Sequence, residues 1–127
     1  QTPTVLFYKL MSTEFPFLTT RRIFSVSELT NQISGLLEAH SGGIFLEGEI
    51  TGARKAASGH LYLSLKDETA MIKAVFFKRQ LRLIEFKPEN GMTVVCRGRV
   101  ALYEPRGDLQ IIVDWMEPSG RGAQRIA

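Results

Sequence analysis

Cysteine is nearly missing from this 127-residue chain: Cys96 stands alone, so there is no internal disulfide and no cysteine-based zinc site. A lone thiol is compatible with a reducing compartment. Histidine is almost as scarce, and His40 and His60 by themselves do not make a metal cluster. No apolar run reaches the length needed to cross a bilayer, so no membrane partner is expected. The Val5-Leu6-Phe7-Tyr8 cluster is shorter than a secretory core and no basic residue precedes it, so it does not read as a leader. Repeats and low-complexity tracts are lacking too, which excludes repeat architectures.

What is present belongs to one globular domain, with 44% hydrophobic and 23% charged residues and enough chain for a core. The net charge of +3 leans only slightly towards an anionic partner.

The stretch from Ile44 to Asp67 organises the rest. Leu46-Glu47-Gly48-Glu49-Ile50 and His60-Leu61-Tyr62-Leu63-Ser64-Leu65-Lys66 both alternate with period two. Each predicts a strand with one buried and one free face. Between them, Thr51 to Gly59 reads as a loop carrying Arg54 and Lys55.

Ahead of this hairpin, residues 1–23 read as an arm, extended over Val5 to Met11 and broken at Pro16. Met11-Ser12-Thr13 would be a natural start, which leaves residues 1–10 open between native arm and added tag. Ser25 and Glu28 fit a capping box. Val26, Leu29, Ile33, Leu36 and Leu37 then form an apolar stripe at helical spacing, ended by His40-Ser41-Gly42-Gly43. Residues 24–43 are therefore expected to be a helix plugging one end of a core.

After the hairpin, Ala70 to Phe77 predicts a third strand, with Ile72, Ala74 and Phe76 on one face and Met71, Lys73, Val75 and Phe77 on the other. Lys78 to Ile84 predicts a short helical turn, and Pro88-Glu89-Asn90-Gly91 a turn. Met92 to Tyr103 predicts a long fourth strand with Arg97, Arg99 and Tyr103 on one face. Glu104-Pro105-Arg106-Gly107 reverses the chain into a fifth strand, Leu109 to Trp115, burying Leu109, Ile111, Val113 and Trp115. Five strands, with a helical turn between the third and fourth, predict a mostly β fold: a five-stranded OB-fold barrel preceded by an N-terminal α-helix, with an open sandwich of the same strands as the alternative that fits the pattern. The barrel is expected over residues 44–118, with a linker from 119 to 127.

Several of these segments resemble one family closely. Phe24-Ser25-Val26-Ser27-Glu28-Leu29, Glu47-Gly48-Glu49-Ile50, Ser58-Gly59-His60-Leu61-Tyr62, Leu65-Lys66-Asp67 and Ala74-Val75-Phe76-Phe77 are similar to the N-terminal domain of the exodeoxyribonuclease VII large subunit. Gly91-Met92, Arg97-Gly98-Arg99-Val100, Tyr103-Glu104-Pro105-Arg106-Gly107 and Gln110-Ile111 continue the resemblance, in order, across residues 24–120. It implies a cytoplasmic nuclease degrading single-stranded DNA with a small helical subunit as partner, bound through other parts of the large subunit. It also implies that this stretch holds DNA while a separate catalytic region cuts it. No catalytic residue and no cofactor is then expected in this chain.

OB-folds bind through the faces of strands two and three and the loops joining strands one to two and four to five. Single-strand binding needs cations for phosphates and flat rings for bases. The residues expected to contact DNA are Arg54, Lys55, His60, Tyr62, Lys73, Phe77, Arg97, Arg99, Tyr103 and Arg106. Tyr62 and Phe77 serve as stacking platforms, with Tyr103 beside the second loop. Two other classes compete with this reading. One is an assembly module that self-associates through residues 4–11 by adding a strand to a neighbour. The other is a small barrel nuclease using Glu47 and Glu49, which could instead pair with Arg97 and Arg99.

Overall fold

The computed structural model describes residues 23–39 and 42–119. The 4–11 arm, His40 and the closing Gln124-Arg125-Ile126-Ala127 lie outside these described residues. In order, the elements are α1 (Val26–Ala39), β1 (Ile44–Lys55), β2 (Leu61–Lys66), β3 (Met71–Phe76), α2 (Lys78–Leu81), β4 (Thr93–Tyr103) and β5 (Asp108–Pro118). The strands close into a barrel in the order β1-β2-β3-β5-β4, antiparallel except for the parallel β3–β5 pair. This is the OB-fold that the strand pattern predicts.

Alternation delivers the core. Leu61, Leu63 and Leu65 of β2 point inward and are buried, together with Ile50, Ala74, Phe76, Val94, Cys96, Ile111, Val113 and Met116. Burial of the Cys96 thiol, helped by the charge of Asp114, pushes its pKa up to about 11. Gly98 is the tightest point in the wall. A Cβ there would lie 2.4 Å from the Ile112 carbonyl oxygen and 3.0 Å from Ile111 Cγ1, so only glycine lets β4 approach β5 this closely.

The capping box of α1 forms as read. The Glu28 N–H donates to Ser25 Oγ at 3.1 Å, and the Ser25 N–H donates to Glu28 Oε1 at 3.0 Å. The helix lies against β4 and buries none of its residues fully; Val26, expected in the apolar stripe, is exposed.

The main departures from expectation lie in β1 and β5. β1 continues through Arg54 and Lys55, so the expected Thr51–Gly59 loop shrinks to residues 56–60. A register shift between Thr51 and Arg54 absorbs the change of direction, with Gly52 at φ +61° and the Ala53 N–H held by Asn90 Oδ1 at 2.9 Å. A second irregularity pairs Arg97 with Trp115 but Gly98 with Val113, leaving Asp114 as the extra residue. Beyond Asp114 that bulge reverses the alternation of β5, so Met116 enters the core while Trp115 is half-buried; Leu109, at the other end and in phase with the buried Ile111 and Val113, is exposed. Finally, β5 runs to Pro118 rather than ending at Trp115. Ser119 beyond it is buried at 3% exposure, its N–H on the Thr93 carbonyl and its Oγ 2.5 Å from Glu47 Oε2.

Candidate nucleic-acid interface

The registers set the outward side chains in rows across β2, β3, β5 and β4. One row runs Tyr62, Val75, Ile112, Arg99; the next runs Ser64, Lys73, Gln110, Ala101. Val75 is buried despite facing outward, so this surface has an apolar floor beneath its polar groups. At its edge Tyr103 pairs with Asp108, and the turn of residues 104–107 carries Arg106 just beyond.

These rows form a concavity of about 370 Å³ lined by Arg54, Tyr62, Lys73, Tyr103, Arg106, Asp108 and Gln110. Five of the ten residues singled out from sequence therefore meet in one place. Three cations face one carboxylate there, with two exposed tyrosines among them. Arg54 is the β1 neighbour of Tyr62 across the ladder, and its guanidinium carbon sits 5.2 Å from the centre of the tyrosine ring. The contact holds the cation beside an aromatic face. Lys73 Nζ is 3.0 Å from Asp108 Oδ2. Asp108 and Gln110 were missed by the sequence reading, because the β5 segment looked only like a source of core residues.

The other five fall elsewhere. Lys55 faces a different hollow, against Leu61, Leu81 and Phe86. His60 Nδ1 accepts the Lys78 N–H at 3.0 Å, satisfying an amide at the start of α2, whose own N-cap Phe77 supplies no side-chain bond. The imidazole also packs edge-on to Phe77, with ring centres 5.0 Å apart. The pair thus anchors α2 to the β1–β2 connection. Arg97 turns to Asp114, its Nε 2.9 Å from Oδ1, near Phe45 and Trp115, whose rings meet edge-on at 6.4 Å. Arg99 shares the row of Tyr62 but stands on the far strand.

Glu47 and Glu49 do not pair with Arg97 or Arg99. Glu47 accepts from Ser119, and Glu49 lies 3.5 Å from Lys66 Nζ. Among the described residues no group of three or more His, Cys, Asp or Glu stands close enough to hold a metal ion, and no helix is long and apolar enough to cross a membrane.

A family model described as an OB-fold nucleic acid binding domain matches residues 24–117. Among curated proteins, the chain is 47% identical over 107 residues to the exodeoxyribonuclease 7 large subunit of Koribacter versatilis, covering 84% of this chain and 24% of that protein. It is equally identical, over 105 residues, to the large subunit of Vibrio cholerae, covering 83% and 24%. The chain thus spans about a quarter of the length of these relatives. Among solved structures, a replication protein A heterotrimer bound to ssDNA is similar at TM-score 0.53 and 15% identity, over 67% of this chain and 63% of that one. Asparaginyl-tRNA synthetase from Pyrococcus horikoshii is similar at TM-score 0.51 and 18% identity, over 65% and 20%. At such identities the likeness concerns the fold.

Proposed function

The chain belongs to the family of OB-fold nucleic acid binding domains, and from that premise we propose that it is the single-stranded DNA-binding module of an exodeoxyribonuclease VII large subunit. The observation that carries this is the concavity in which Arg54, Lys73 and Arg106 surround Tyr62 and Tyr103. Cations neutralise successive phosphates while aromatic rings stack bases of any identity. Strand scission belongs to the remaining three quarters of the large subunit, where the small subunit also binds. The setting is the cytoplasm.

Fluorescence anisotropy of a labelled oligo(dT) across several salt concentrations tests the proposal. Log affinity should fall against log salt by about 0.7 for each phosphate contacted. Binding that ignores salt, or that survives both Tyr62→Ala and Arg54→Glu, rejects the groove. Equal affinity for duplex reduces it to general electrostatics.

A second reading, an assembly surface, is favoured by the exposed Phe45 and its edge contact with Trp115 on another side of the barrel. The 4–11 arm is the other element proposed for self-association. Sedimentation with and without residues 1–11, and of Phe45→Ser, tests both; a monomer throughout removes them.

A further inference from the structure

One polar side chain of the groove has chemistry that neither phosphate attraction nor stacking uses. Gln110 is half-buried between Lys73 on β3 and Ala101 on β4. The Lys73 ammonium is held by Asp108 at 3.0 Å, and the Ala101 methyl offers no polar group. Among the described residues, nothing hydrogen-bonds the Gln110 carboxamide. One acceptor and two donors therefore face the groove unmatched. Leaving such groups unpaired beneath a ligand is unfavourable, so the groove selects a ligand that pairs with them.

Tyr103 stands diagonally from Gln110 across the antiparallel β4–β5 ladder, since Tyr103 opposes Asp108 and Ala101 opposes Gln110. Diagonal neighbours of this kind lie about 7–8 Å apart, within reach of aromatic and long side chains. A base lying on the Tyr103 ring brings its edge to the carboxamide.

We propose that Gln110 reads the Watson–Crick edge of an unpaired base stacked on Tyr103, selecting unpaired from paired strands without selecting sequence. This rests on the single-strand reading of the groove. Each DNA base carries a donor beside an acceptor on that edge: an amine beside a ring nitrogen in adenine and cytosine, a ring N–H beside a carbonyl in guanine and thymine. A half-turn of the carboxamide presents its own donor and acceptor in either order. In a duplex the edge is already occupied by the opposite base.

The test compares oligo(dT) with an oligomer of N3-methylthymidine of equal length, which keeps charge and stacking but blocks the edge. Wild type should prefer oligo(dT) roughly fivefold or more, the scale of one hydrogen bond to a partly buried amide. Gln110→Met, of similar length but without the amide, should bind oligo(dT) more weakly and lose the preference. Equal affinity of wild type for both oligomers, or a preference retained in Gln110→Met, overturns the role of Gln110. If Tyr62→Ala still weakens binding in that case, the groove itself stands. If Tyr62→Ala changes nothing, groove and edge reading fall together.

Discussion

Lys73 and Asp108 face each other at 3.0 Å in the lining of the groove, with neither side chain buried. Their partnership means that a cation expected to meet phosphate is already half-neutralised. Removing the carboxylate frees it. Asp108→Asn should therefore tighten binding to oligo(dT) by about fivefold, ~1 kcal/mol, and steepen its salt dependence. Unchanged or weaker binding would show that Asp108 orients Lys73 rather than competing for it.

Position on the barrel separates arginines that looked alike in sequence. Arg106 lines the groove, whereas Arg97 is committed to Asp114 on another part of the wall. Arg106→Ala should lower the salt slope by about 0.7, the share of one phosphate contact. Arg97→Ala should leave affinity within about twofold.

The two glycines of interest should respond in opposite directions to alanine. Gly98→Ala drives a Cβ to 2.4 Å from a backbone oxygen, so the strands must part. A loss of about 3 kcal/mol or more is expected in urea unfolding, on the scale of overpacked cores. Gly35 lies in α1 with nothing within 4 Å of an added Cβ. Gly35→Ala should stabilise by roughly 0.5–1 kcal/mol, the helix preference for alanine.

Asp67 gives the β2–β3 turn a pH dependence of known sign. The Thr69 and Ala70 N–H groups donate to its Oδ1, both at 2.9 Å, and hold its carboxyl below the ordinary 3.8. A depressed pKa contributes stability that is present above the unfolded value and fades as pH falls through the folded one. Wild type should therefore exceed Asp67→Ala in stability at neutral pH, and the gap should narrow below about pH 4. A gap constant down to pH 2 would contradict this.

Cys96 should resist thiol reagents at pH 8, because the thiolate forms only near pH 11 while the chain is folded. Reaction with a disulfide reagent should follow the unfolding rate. The raised pKa also sets a stability term that is fully present below 9.0 and is lost as pH rises from there through about 11. Fast labelling of folded protein would refute the buried placement.

Local chemistry alone determined much of this protein. The Ser25–Glu28 cap and the leucines of β2 at 61, 63 and 65 depend on neighbours a few residues away, and periodicity reveals such relations directly. The strand count and the position of the helical turn were legible for the same reason, and they suffice to indicate the barrel. Tertiary structure decided which outward residues meet. The bulge at Asp114 depends on how β4 and β5 register, so a pattern that assigned Trp115 to the core could not detect the switch to Met116. The parallel β3–β5 pairing sets Lys73 beside Gln110 across 37 positions of chain, and that juxtaposition exists only once the barrel closes. His60 meets the Lys78 amide, 18 positions along the chain, only once folding brings the two together. Hydrogen-bond partners distant in sequence leave no periodic trace, which is why the groove needed the fold to be read.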